Sequence, residues 1–135
     1  MLVQPNGYIV LTGAFTSYGG TPQSRITRVD STGILDSGFA TNLGGGADNK
    51  IYASALQTDG KIVVGGTFTK IDGTPRSGFA RINTDGFLDG SFIIGAGANG
   101  GVMAIAVQGD GKIIIGGDFT QYNGLPSPYV ARIYP

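Results

Sequence analysis

Three stretches of the chain repeat one another: "PNGYIVLTGAFTSYGG" from Pro5, "TDGKIVVGGTFTKIDG" from Thr58 and "GDGKIIIGGDFTQYNG" from Gly109. The match begins at Gln4, Gln57 and Gln108 and keeps register through Gly13, Gly66 and Gly117, the Phe-Thr pairs at 15, 68 and 119, Pro22, Pro75 and Pro126, and Arg28, Arg81 and Arg132. The period is 53 and then 51 residues, so the slack sits in one connection. A period near 50 carried by strand-like segments predicts propeller blades, since helical arrays have shorter repeats with helix-length periodic stretches.

Composition agrees with a sheet. All nine acids are Asp and none is Glu, and 25 residues are Gly. Asp and Gly suit tight turns, whereas Glu suits helix interiors. The fold class expected is all-β, as one repeat domain over 1–135 with units of about 1–51, 52–102 and 103–135. Nine basic side chains balance the nine acids, so no net field draws the chain to nucleic acid or anionic lipid. No apolar run approaches the length of a membrane span, and "MLVQPNGYIVLTG" has neither the basic nor the apolar region of a signal peptide, so no membrane insertion is expected.

Each unit reads as four antiparallel strands. The first is "YASALQ" or "MAIAVQ", small and aliphatic as the crowded innermost strand requires. Asn-Gly at 6–7 and Asp-Gly at 59–60 and 110–111 turn the chain into the second, "KIVVGGTF" or "KIIIGGDF". The third is "FARIN" or "YVARIY", and the fourth "GILDSGFA" or "GFLDGSFI". Phe15, Phe68, Phe119, Phe39 and Phe92 are expected in the core.

The segment "ALQTDGKIVVGGTFTKIDGTPRSGFARINTDGFLDGSF", Ala55 to Phe92, resembles the delta-60 repeat of bacterial surface and phage-associated proteins, a kelch-like β-propeller repeat. The resemblance spans essentially the whole chain. It implies a propeller and an extracellular, virion or bacterial-surface setting, and leaves function open.

Counting strands bears on assembly. Met1 aligns with Ser54, inside an inner strand, and Pro135 follows the third strand of the last copy. Two and a half to three blades are therefore expected, where closed propellers use about four to eight. Open blade flanks and unpaired edges invite association, so another chain is expected to complete the ring, a second copy giving about six blades. The assembly edges would be Leu2 and Val3 at one end and Tyr129, Arg132 and Tyr134 at the other. The alternative is that these residues are a piece of a longer chain.

Arg28 and Arg81 each stand eight residues before the Asp of a Leu-Asp pair, Asp36 and Asp89, which suggests an arginine-carboxylate staple within each blade. Arg132 has no such Asp after it in this sequence. A neighbouring subunit would supply it, unless the three arginines simply reach solvent.

A ligand would be expected on the face bearing the longer loops. There Tyr18, Ile71 and Tyr122 are equivalent, and Tyr18 and Tyr122 with Lys70, Gln121 and Asn123 could stack on and hydrogen-bond a sugar, or simply cover the sheet edge. "GAGANG", Gly95–Gly100, matches a dinucleotide pattern but leads into a strand, where that chemistry needs a helix N-terminus. Asp30, Thr32 and Asp36, like Asn83, Asp85 and Asp89, lack calcium-loop spacing. With no His and no Cys, the common zinc sites and Ser-His-Asp triads are excluded. No cofactor, metal site or catalytic residue is expected. The reading is a non-catalytic structural or interaction module, with carbohydrate binding as the alternative.

Overall fold

The computed structural model describes residues 1–134. Three small antiparallel sheets follow one another along the chain. The first holds β1 (Leu2–Val3), β2 (Ile9–Thr12) and β5 (Ile26–Val29), with a short hairpin, β3 (Ser17–Tyr18) and β4 (Thr21–Pro22), between the last two. A helix, α1 (Ser37–Leu43), leads to the second sheet, β6 (Ile51–Leu56), β7 (Ile62–Gly66) and β10 (Phe79–Ile82), with hairpin β8 (Lys70–Ile71) and β9 (Thr74–Pro75). The third is β11 (Val102–Val107), β12 (Ile113–Gly117) and β15 (Val130–Ile133), with β13 (Gln121–Tyr122) and β14 (Leu125–Pro126). The sequence repeat is also a pairing repeat: Ile9 faces Val29, Ile62 faces Ile82 and Ile113 faces Ile133.

The turn glycines explain part of this register. Gly7, Gly60 and Gly111 have φ of 87°, 83° and 84°, a region that suits glycine, and each donates its N–H to the carbonyl of the preceding Gln4, Gln57 or Gln108.

The fourth strand is shorter than its sequence suggests. It pairs only through single bridges, Leu35 with Val29 and Leu88 with Ile82. The Leu-Asp step ends it, because the aspartate takes up the following N–H groups. Asp36 accepts from Phe39 N at 3.1 Å and caps α1, while Asp89 accepts from Ser91 N at 3.0 Å. The second copy makes no helix here; Ile93, Ile94 and Gly95 stand where the first has Ala40, Thr41 and Asn42, and β-branched residues and glycine are poorer helix formers.

The strand period of two makes the middle blade a shared wall. Ile62, Val64, Ala80 and Ile82 join Val10, Ile26, Phe39 and Phe68 in one apolar cluster. Val63 and Phe79, the alternate residues of β7 and β10, join Phe92, Val102, Ile113, Ile115 and Phe119 in the other. Both faces of this blade are therefore covered by a neighbour. Of the five phenylalanines expected inside, Phe39, Phe68, Phe92 and Phe119 are buried and Phe15 is only partly so. The crossings that cover Phe68 and Phe119 enter their blades from the preceding one, and within these residues the first blade has no such crossing. No helix among the described residues is long and apolar enough to cross a membrane.

Candidate functional site

The recurring arginines lie along the third strand of each blade, and the bridge at Leu35 or Leu88 brings the next residue's carboxylate beside them. Arg28 donates from Nε and Nη2 to Asp36 Oδ2, at 2.9 and 2.7 Å, and from Nη1 to the Thr84 carbonyl of the next blade at 2.6 Å. Its guanidinium also lies over the rings of Tyr8 and Phe39. Arg81 donates from Nε to Asp89 Oδ2 at 2.8 Å and lies over Phe92. Lys61, which stands where the first copy has Tyr8, donates to the same oxygen at 3.0 Å.

The second pair is the more enclosed: the side chains of Arg81 and Asp89 are 10% and 5% exposed, against 12% and 16% for Arg28 and Asp36. Burial opposes ionisation of Asp89, but the Ser91 hydroxyl, Lys61 and Arg81 outweigh it and hold its carboxyl well below the usual carboxylate range. Burial likewise opposes ionisation of Asp36, and the Phe39 N–H and Arg28 outweigh it. Arg132 pairs with no carboxylate among the described residues. It is exposed, donates to Tyr134 Oη at 3.1 Å and lies near that ring.

The flanks differ from the middle blade at matched positions. Ile26, Phe79 and Val130 occupy one register position, and Ile26 and Phe79 face the next blade along. The first two are fully buried and Val130 is 60% exposed. Ile114 is only partly buried where Val10 and Val63 are fully so. On the opposite flank Ile9 and Leu11 are half-covered, whereas their counterparts Ile62 and Val64 have no exposure. Among the expected edge residues Val3, Tyr129, Arg132 and Tyr134 are exposed and Leu2 is partly buried, packed against the first cluster.

The hairpins beside the Gly-rich crossings hold the residues expected to meet a sugar. Tyr18 donates its hydroxyl to the Gly33 carbonyl at 2.8 Å, along its own blade. Lys70 and Gln121 are exposed, with backbone N–H groups donated to Asp48 and Asn99 of the crossings. Asn123 Oδ1 accepts from Ala96 N at 3.1 Å. Tyr122 is bridged to Ala98, and its hydroxyl is buried without a partner among the described residues. Tyr18 and Lys70 thus lie on two hairpins and Gln121, Tyr122 and Asn123 together on a third; the Tyr18 hydroxyl and Asn123 Oδ1 are engaged within the fold, and the side-chain polar atoms of Lys70 and Gln121 make no hydrogen bond among the described residues.

A family model described as "Domain of unknown function (DUF5122) beta-propeller" matches residues 4–39, 57–92 and 108–135. The chain belongs to this β-propeller family. Each match starts at the repeat glutamine, and the first two end at Phe39 and Phe92, the rings beneath the stapling arginines. No curated protein and no solved structure matches the chain.

Two features of this propeller escape a strand-by-strand reading of the sequence. Asp72-Gly73 and Asn123-Gly124 make two-residue hairpins, with φ of 46° at Asp72 and 50° at Asn123; the Asp-Gly and Asn-Gly pairs are a usable signal for them. The role of Lys61 at Asp89 has none, because the two are far apart in sequence.

Burial pushes the Tyr122 phenol up to about 12. Since its buried hydroxyl has no partner among the described residues, Tyr122→Phe should leave stability unchanged or raise it by about 1 kcal/mol. Urea unfolding measures this, and a loss of stability would show that the hydroxyl is bonded.

Proposed function

We propose that this β-propeller is a non-catalytic structural and interaction module that works by assembly, its open flanks packing on blades from another protein, with a second copy of the chain as the preferred partner. The observation that carries the reading is the exposure of Val130 where Ile26 and Phe79 are fully buried. A residue typed for an inter-blade core faces solvent, and covering it removes apolar surface from water. The non-catalytic part is supported by the aspartates: Asp30, Asp59, Asp85 and Asp110 hold turns, Asp48 and Asp72 tie hairpins to crossings, and Asp36 and Asp89 pair with arginine. The delta-60 resemblance supports an extracellular, virion or bacterial-surface setting.

Light scattering over a concentration series tests assembly. A discrete dimer or other closed oligomer is expected, and Val130→Lys should reduce it to monomer. Leu125→Lys, at an exposed hairpin position away from that strand, should not. A folded monomer at every concentration would overturn association with a second copy. Saturable binding on a glycan array, lost in Tyr122→Ala while assembly persists, would favour carbohydrate recognition instead.

A further inference from the structure

The residue that leaves each small hairpin has the same left-handed backbone in all three blades, with φ of 67° at Arg25, 71° at Gly78 and 69° at Tyr129. Its N–H is donated to the carbonyl of Phe15, Phe68 or Phe119, and its own carbonyl accepts from Gly13, Gly66 or Gly117. Only the side chain differs. Arg25 lays its side chain against the crossing that enters the second blade, donating from Nη1 to the Ala47 carbonyl at 3.2 Å with Nε buried.

Gly78 has no side chain to do this, and the equivalent place is a cleft of about 330 Å³ lined by Phe68, Gly78, Ala98, Asn99, Gly100 and Gly101 among others. Ala98 is the counterpart of Ala47. Among the described residues no hydrogen bond reaches its carbonyl. The Gly100 carbonyl oxygen stands 3.1 Å from where a Cβ on Gly78 would be, so a second acceptor borders the same space.

The charges also change between the two places. Lys50 beside the first becomes Gly101 beside the second, Asp48 becomes Asn99, and Thr67 becomes Asp118. With Arg25 set aside, these three neighbours are neutral in sum at the first place and carry one negative charge at the second; Gln23 also becomes Arg76, whose Nη1 donates to the Pro75 carbonyl of its own hairpin. Asp118 is exposed, and its carboxylate takes part in no hydrogen bond among the described residues, unlike the other eight. Its Oδ1 borders the glycine wall, 2.9 and 3.1 Å from where Cβ atoms on Gly100 and Gly101 would stand.

We propose that this cleft binds a guanidinium group, the chemistry that the first blade supplies covalently through Arg25. The planar cation donates to the carbonyls of Ala98 and Gly100, and the Asp118 carboxylate balances its charge at the rim. The ligand is an arginine side chain, either free arginine or an arginine carried on another polypeptide. The cleft needs no second copy of the chain, so this inference stands apart from the assembly reading.

The test is an NMR titration of the full chain, following the amides of Gly78 and Ala98–Gly101, with Nα-acetyl-arginine methylamide as probe. Saturable shifts at these amides are expected, with a much weaker response to Nα-acetyl-lysine methylamide, whose point charge cannot bridge two carbonyls in a plane. Free arginine separates the sources: equal affinity identifies the amino acid, and weaker affinity, from its carboxylate beside Asp118, identifies a polypeptide-borne side chain. Gly78→Arg should abolish the shifts, since Arg25 shows that this backbone carries an arginine. Should that variant fail to fold, Asp118→Asn carries the test, with binding expected to weaken by roughly 2- to 5-fold. No saturable shift in the wild type, an equal response to the lysine probe, full binding by Gly78→Arg or unchanged affinity in Asp118→Asn would each overturn the proposal.

Discussion

Asp89→Ala is expected to destabilise the chain by about 3–5 kcal/mol, because it leaves a buried guanidinium without its acceptor. Arg81 is buried over Phe92, and among the described residues its only carboxylate partner is Asp89. Lys61 also loses its acceptor but is partly exposed and can turn to water. Asp36→Ala should cost less, because Arg28 keeps the Thr84 carbonyl and its pair is more open to solvent. Urea unfolding compares the two. Replacing Arg81 by Met together with Asp89→Ala should recover part of the loss, since no lone charge is then buried. Equal, small losses in both single variants would show that the second staple contributes no more than a surface pair.

The same pair has a signature in acid. Asp89 is held below its unfolded value, so its contribution is fully present above the unfolded carboxylate pKa of about 3.9 and is lost as pH falls through the folded one. Stability should therefore fall on acidification below about pH 4, and Asp89→Asn should flatten that limb. A wild-type profile with no acid slope would contradict this.

Gly66→Ala is expected to cost about 3 kcal/mol through overpacking, while Gly13→Ala at the equivalent position of the first blade should cost far less. A Cβ on Gly66 would stand inside contact distance of the Lys50 carbonyl oxygen and 2.9 Å from Ile51 Cα, both backbone atoms. Those atoms belong to the start of β6, which is held in place by pairing of Ile51 with Gly66 and by a register shift before Ala53. On Gly13 a Cβ would meet only the Phe15 ring, at 3.6 Å. Neither glycine has a positive φ, so the contrast reports space rather than backbone strain. Thermal unfolding of both variants would show it, and equal losses would mean that the approach of β6 is not what requires glycine.

Strand order and the Asn-Gly and Asp-Gly turns are legible in the amino-acid sequence, because each rests on local rules repeated three times. The strands "KIVVGG" and "FARI" are buried on both faces and carry no apolar-polar alternation, so it is the structure that sets Ile62 opposite Ile82. The fourth strand is misleading because "GILDSGFA" alternates like a strand, while a single carboxylate at Asp36 captures the Phe39 N–H and starts a helix. The hairpin tyrosines are legible as a pair but not in their roles: the Tyr18 hydroxyl finds the Gly33 carbonyl, while Tyr122 packs on the second cluster and its hydroxyl has no partner among the described residues.

The three paired strands of a blade, the turns between them and the residues that share a face follow from local pattern in the amino-acid sequence. What each face meets follows from packing between blades. Ile26, Phe79 and Val130 are equivalent in register and all apolar, yet two are core and one is surface, since burial depends on the neighbouring blade. The same holds for Arg25 and Gly78, whose backbones match, while an arginine reaches the crossing carbonyl at one and a cleft opens at the other. Local pattern acts over a few residues, but contacts between blades join segments as far apart as Arg25 and Ala47, 22 residues, or Arg28 and Thr84, 56 residues, and it is those contacts that set burial, charge pairing and open space.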